Sequence, residues 1–209
     1  MCKRVLVLDM GNVLISYDTE AILRRQGVTD KADMALFQQI IFDSDVWQNL
    51  DRGTAEKTEF IPLIQKLPPH LANLAEDMLL KHIFAESYMP PIPQTEELVR
   101  RAYEKGIPIY LLSNAGQDFY QYSKGIPALR YFTGTFISSD YHLLKPEREI
   151  YETFFRTFSL APSDCVFVDD MQRNIDGAKA CGMDGICFNA AREDIAVLYR
   201  KLAEKGIIL

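Results

Sequence analysis

Five short apolar runs punctuate the chain: Val5 to Leu8, Ile109 to Leu112, Thr135 to Ser138, Cys165 to Val168 and Gly185 to Phe188. Four of them show no strict alternation of apolar and polar residues, the pattern of strands buried on both faces under helices. Thr135 to Ser138 carries the weakest strand signal. Helical patterns lie between the last four runs and after them. Glu96 to Lys105 places Leu98, Val99 and Ala102 on one face and stops at Gly106, and Glu147 to Phe158 opens after Pro146 and repeats Ile150, Tyr151, Phe154, Phe155 and Phe158. Asn174 to Cys181 stops at Gly182, and Ile195 to Lys205 at Gly206. Strand and helix alternate, which predicts an α/β fold with a doubly wound, Rossmann-like parallel sheet.

One stretch breaks the rhythm. Between about Ser16 and Met89 there are helical patterns and no convincing strand: Thr19 to Arg25, Lys31 to Phe42, Ala55 to Gln65 and Leu71 to Phe84. Pro90, Pro91 and Pro93 then mark a stiff return. The expected organisation is an α/β core made of residues 1–15 and 90–209, with an α-helical cap, residues 16–89, inserted after the first strand. Such a cap lies over the carboxyl ends of the strands, where open α/β sheets bind ligands.

Composition narrows the classes. The chain has 209 residues, 48% hydrophobic and 25% charged, with a net charge of −6, and an acidic balance gives no general attraction to nucleic acid or anionic membranes. The first apolar run meets a charge after four residues, too short for a signal peptide or a membrane span. Cys2, Cys165, Cys181 and Cys187 form no CxxC pair, and His70, His82 and His142 are not spaced as metal ligands. A cytoplasmic protein with reduced thiols is expected, as a monomer or weak dimer acting on a small molecule.

The polar residues at the ends of the apolar runs carry the chemistry. The first run ends in Asp9, the second in Ser113-Asn114 and the fourth in Asp169-Asp170, while Lys145 comes after the third, just before Pro146. Parallel strands bring these carboxyl ends to one edge. Clustered carboxylates repel and call for a divalent cation, and few hard oxygen ligands suit Mg²⁺ completed by water and phosphate. A hydroxyl, backbone amides and a lysine can hold phosphate oxygens, and a carboxylate left to attack phosphorus gives an acyl phosphate.

The ordered set resembles the haloacid dehalogenase superfamily. Leu8-Asp9-Met10-Gly11-Asn12-Val13-Leu14 is similar to its first motif, Leu112-Ser113-Asn114-Ala115 to the second, Lys145-Pro146-Glu147 to the third, and Val168-Asp169-Asp170 with Asn174 and Gly177 to the fourth. The form of the first motif is similar to the branch holding bacterial sugar-phosphate phosphatases, including the α-D-glucose-1-phosphate type. The resemblance implies Asp9 as nucleophile and metal ligand, the Gly11 carbonyl and Asp170 as further Mg²⁺ ligands, and Asp169 as a ligand through water. It implies that Ser113 and the Asn114 amide hold the phosphoryl group and that Lys145 bridges phosphate and Asp9. The function implied is a Mg²⁺-dependent phosphatase of a small phosphorylated metabolite, a sugar phosphate first.

One departure matters. Many such phosphatases carry a second aspartate two residues after the nucleophile, as proton donor to the leaving oxygen; here that position is Gly11. Loss of a positioned acid typically costs about 10²–10⁴-fold. Three readings are open. The cap supplies an acid from among Asp43, Asp45, Asp51, Arg52 and Glu86; the leaving group needs little help, as with a sugar 1-phosphate; or turnover is slow. The second is favoured from sequence. Arg52 is the first cap residue suspected of contacting sugar or phosphate, Trp47 is expected in the cap core, and Tyr120, Tyr122 and Tyr131 in loop packing. The competing functions are a carbon–halogen hydrolase, a phosphate-accepting receiver and a catalytically idle sugar-phosphate binder.

Overall fold

The computed structural model describes residues 4–81 and 89–209. Five strands, β1 (Val5–Leu8), β2 (Ile109–Ser113), β3 (Gly134–Ile137), β4 (Cys165–Asp169) and β5 (Asp184–Cys187), form one sheet in the order β3-β2-β1-β4-β5. Every pairing is parallel, with Leu8 opposite both Leu111 and Val168. β1 is therefore central, and the chain leaves it in one direction for β2 and β3 and returns for β4 and β5. The strands' carboxyl ends face the reversal point of a doubly wound sheet.

Successive side chains on a strand point to opposite faces. Leu6, Leu8, Leu111, Val166, Val168 and Ile186 pack on one side, and Val5, Val7, Tyr110, Leu112, Phe136 and Phe167 on the other. The first face is covered by α6 (Pro93–Glu104) and α11 (Ile195–Glu204), through Leu98, Val99, Ala102, Leu198 and Leu202. The second is covered by α9 (Arg148–Phe158) and α10 (Gln172–Ala180), through Ile150, Tyr151, Phe154, Ile175 and Ala178. Both faces being dry explains why the strands read as unbroken apolar runs. The weak third run is a strand after all, but an edge one, with only Phe136 and Ile137 buried.

Between β1 and α6 the regular elements among the described residues are helices: α1 (Thr19–Arg25), α2 (Lys31–Phe37), α3 (Asp45–Arg52), α4 (Ile61–Ile64) and α5 (Pro69–Glu76). They bury a cluster of their own around Ile22, Phe37, Ile41, Phe60, Leu71 and Met78. Trp47 packs edge-on against Phe42 and Phe60, at 5.0 and 6.0 Å between ring centres. Side-chain caps open three of the helices: Asp18 accepts from the Ala21 amide, Asp30 from those of Ala32 and Asp33, and Ser44 from that of Trp47. The helix expected over Lys31 to Phe42 widens to a π turn at Gln38–Phe42, and Ala55 to Gln65 is a 3₁₀ turn (Lys57–Phe60) running into α4. The helix expected over Leu71 to Phe84 starts at Pro69 and continues as a π turn to Lys81; its remainder lies outside the described residues. α3 is a helix not among those expected; its mostly polar sequence still carries a short apolar face, Val46, Trp47 and Leu50 at helical spacing, which packs on the cluster. α7 (Phe119–Tyr122) comes after β2, and α8 (Ser138–Tyr141) continues directly from β3. No helix among the described residues is long and apolar enough to cross a membrane.

Candidate active site

β1 and β4 are neighbours in register, and the Asp9 amide donates to the Val168 carbonyl at 2.9 Å. That puts Asp9, just past β1, beside Asp169, the last residue of β4. Lys145 reaches between them from the loop before α9. Its Nζ donates to Asp9 Oδ1 at 2.7 Å, to Asp169 Oδ2 at 2.7 Å and to the Leu112 carbonyl at 3.1 Å. All three charged residues are buried. A buried ammonium persists only with full pairing, and here each of its three donors has a partner. Burial pushes the Asp9 carboxyl up to about 7, opposed by Lys145 and reinforced by Asp169. The two carboxylates hold the Lys145 pKa above its ordinary value in spite of burial, so it stays charged.

Asp169 is fixed from every side. Oδ1 accepts from the Met171 amide at 2.8 Å, and Asn174 Nδ2 lies 3.0 Å from both oxygens. Asn174 thus orients an acid. Gly177 lets α10 approach the lysine loop, since a Cβ there would lie 3.0 Å from the Pro146 carbonyl. Asp170 is partly buried, and its Oδ2 accepts from Asn12 Nδ2 at 3.0 Å. Asn12, not singled out from sequence, sits in the left-handed region at φ 53° and also accepts from the Tyr17 amide. Asparagine tolerates that conformation better than most residues, which is the one signal the sequence offers for it.

Asp9, Asp169 and Asp170 each offer a carboxylate oxygen within 4.8 Å of the others. Three acids against one lysine leave an excess of negative charge. An all-oxygen donor set of this kind fits a hard divalent cation better than zinc or copper.

Ser113 ends β2 and is buried, and its hydroxyl reaches the Asn114 carbonyl only at 3.5 Å, too long for a good hydrogen bond. The Asn114 side chain grips the lysine loop from both sides: Nδ2 donates to the Lys145 carbonyl at 3.1 Å and Oδ1 accepts from its amide at 2.9 Å. The Ser138 hydroxyl, buried, accepts from the Ala115 amide at 2.9 Å and donates to the Asp51 carbonyl at 2.5 Å.

That last bond belongs to a seam between α3 and the sheet. Arg52, suspected of contacting substrate, instead pairs with Glu147 through both of its terminal nitrogens and donates to the His142 carbonyl. His142 answers through Nδ1 on the Arg52 carbonyl, so both residues serve the seam. Gly53 is next in the chain at φ 75°, and a Cβ there would sit 2.4 Å from the Ser139 carbonyl, a close approach only glycine allows. Of the acids considered for the cap, Asp43 and Asp45 are exposed, and Glu86 lies outside the described residues. Asp51 is the one that feels the charges of Asp9 and Lys145, with the Gly116 amide beside its carboxyl. Tyr122 is buried, with its hydroxyl on Met10 Sδ at 3.7 Å, whereas Tyr120 is exposed on Asp140 and Tyr131 packs on Tyr103.

The sheet order and this cluster define a doubly wound α/β protein with an acidic site at its strand ends. A family model for haloacid dehalogenase-like hydrolases matches residues 3–182, and the chain belongs to that family. The chain is 24% identical over 193 residues to the sesquiterpene phosphatase of Aspergillus oryzae, covering 89% of this chain and 91% of that protein. Its fold matches a haloacid dehalogenase family enzyme of Bacteroides thetaiotaomicron, an Asp-to-Ala mutant in complex with magnesium and inorganic phosphate. The TM-score is 0.70 at 22% identity, over 95% of this chain and 100% of that one. It also matches the L-2-haloacid dehalogenase of Xanthobacter autotrophicus with chloropropionic acid covalently bound, at TM-score 0.64 and 16% identity, over 99% of this chain and 85% of that one.

Proposed function

We propose that this hydrolase is a Mg²⁺-dependent phosphatase of a small phosphorylated metabolite, working through an aspartyl phosphate on Asp9. The observation that carries the reading is the buried cluster in which Lys145 ties Asp9 to Asp169 while Asp170 lies within the same 4.8 Å group. In this reading Asp9, Asp170 and the Gly11 carbonyl would hold the cation, and Asp169 would act on it through water, since its oxygens are already engaged by Lys145, Met171 and Asn174. The cation supplies charge neutralisation on the phosphoryl oxygens. Lys145 holds one Asp9 oxygen and screens the approach of a phosphate anion to a carboxylate. Ser113 and the Asn114 amide hold the phosphoryl oxygens as charge develops on them. Asp9 attacks phosphorus, the ester oxygen leaves with its bonding pair, and water then attacks the phosphorus of the acyl phosphate to release inorganic phosphate.

Residues 16–89 serve as the cap that covers this site. The first-motif pattern favours sugar phosphates, the α-D-glucose 1-phosphate type first; the Aspergillus oryzae relative's name adds prenyl phosphates to the panel. Three acids around one lysine favour phosphate chemistry over carbon–halogen cleavage, which needs no cation.

The test is phosphate release from sugar, prenyl and nucleoside phosphates with Mg²⁺ or with EDTA. Turnover that EDTA abolishes is expected, with glucose 1-phosphate faster than glucose 6-phosphate. Activity on a 2-haloacid unaffected by EDTA, with none on phosphates, would replace the reading.

A further inference from the structure

Gly11 removes the side chain from which a proton would ordinarily reach the leaving oxygen, and nothing steric demands glycine there: a Cβ would have only Tyr17 Cβ within 4 Å, at 3.9 Å. α3 is fastened to the sheet at its carboxyl end by the Ser138–Asp51 hydrogen bond, the Arg52–Glu147 pair, the His142–Arg52 contact and the close approach of Gly53 to Ser139. On the neighbouring loop, a Cβ on Gly116 would lie 3.2 Å from the Leu50 carbonyl. This fastening holds the backbone of Asp51 at the carboxyl edge of the sheet. Asp51 feels Asp9 and Lys145, and its charge in turn bears on the buried hydroxyls of Tyr17 and Tyr122.

On the phosphatase reading given above, we infer that Asp51 is the proton donor to the leaving oxygen, supplied by the helical segment in place of a residue at position 11. As Asp9 forms its bond to phosphorus and the ester P–O bond breaks, the electron pair goes to the departing oxygen. The Asp51 carboxylic acid gives that oxygen its proton and becomes a carboxylate. It then takes a proton from the water that attacks the acyl phosphate, which restores the acid and releases inorganic phosphate and the Asp9 carboxylate. Burial raises the Asp51 carboxyl to about 7, with Asp9 adding to the rise and the Gly116 amide and Lys145 opposing it. This assignment moves the weight from a leaving group that needs no help to an acid carried by the cap.

The experiment compares kcat/KM of wild type and Asp51→Asn on glycerol phosphate, whose alkoxide needs a proton, and p-nitrophenyl phosphate, whose phenolate does not. Both are measured on the same preparation with Mg²⁺, so the ratio is independent of the folded fraction. Because kcat/KM reports the phosphoryl-transfer step, a fall of about 10²–10⁴-fold on the alkyl ester and at most about tenfold on the aryl ester is expected. An equal fall on both esters, or no fall on either, overturns the role of Asp51 and leaves the phosphatase standing. A wild type that releases phosphate from none of the esters, the sugar, prenyl and nucleoside phosphates included, overturns the phosphatase reading and this inference with it.

Discussion

The sheet and the helical segment bury apolar clusters of comparable make-up, yet they present chemistry in different ways. In the sheet, polar residues sit where apolar strands stop, so Asp9, Ser113 and Asp169 are placed by backbone pairing alone, with Leu8 against Val168 and Leu111. In the helical segment a functional side chain depends on docking: Asp51 is held at the sheet edge because Ser138, Glu147 and the bare Cα of Gly53 hold α3 against the sheet. The sheet half can hold its cluster without the helices, whereas the helices need the sheet to give Asp51 a role. Substitutions in one half should therefore leave a different mark from substitutions in the other.

The largest stability effect belongs to the sheet edge. Lys145→Met leaves Asp9 and Asp169 buried without their common partner, and breaking such a pair destabilises by about 3–5 kcal/mol. Thermal melting without metal at mildly alkaline pH should show the loss, and added Mg²⁺ should recover part of it. A variant that melts like wild type would mean that the cluster is solvated and the burial argument fails. In the helical half, Phe60 is fully buried under Trp47, and Phe60→Ala should destabilise by roughly 3–5 kcal/mol. Hydrogen exchange should then rise through α1 to α5 while β1 and β4 stay protected. Equal loss in both regions would show one cooperative unit and dissolve the comparison.

The smallest effect lies on the seam. Hydrogen bonds from Arg52 lower the Glu147 carboxyl below its usual range, against the opposing effect of burial. A depressed acid contributes stability above the ordinary carboxylate range and loses it as pH falls through the depressed value. The pair is partly exposed, so the contribution is about 0–1 kcal/mol. Wild type should therefore melt slightly above Glu147→Gln near neutral pH and coincide with it in acid; a gap that persists in acid would remove the ion pair as its cause.

The same asymmetry explains what can be read from the residues alone. Strand ends are legible, because an apolar run buried on both faces stops at its first polar residue; the five runs yield the parallel sheet, and the residues after them include Asp9, Lys145, Asp169 and Asp170, which the fold brings together. Even the edge strand Gly134–Ile137 can be found, though two of its four residues are not buried. The helical segment is legible as helices but not as a surface. α3 is short and mostly polar, and the contact that gives Asp51 its position joins residues 87 apart in the chain. The same blindness assigns Arg52 to substrate when its partner is Glu147. Asn12 is hidden differently: only its left-handed backbone turns its side chain toward Asp170.

The most direct test of the whole account is to look for the phosphoryl group on Asp9. The enzyme is mixed with Mg²⁺ and its best phosphate ester, quenched in acid during turnover, digested and weighed by mass spectrometry. The account predicts one added phosphoryl group on the peptide that carries Asp9, absent from Asp9→Asn, whose turnover falls on the order of 10⁴-fold or more. Turnover that survives in Asp9→Asn, with no phosphorylated peptide in the wild type, would contradict it.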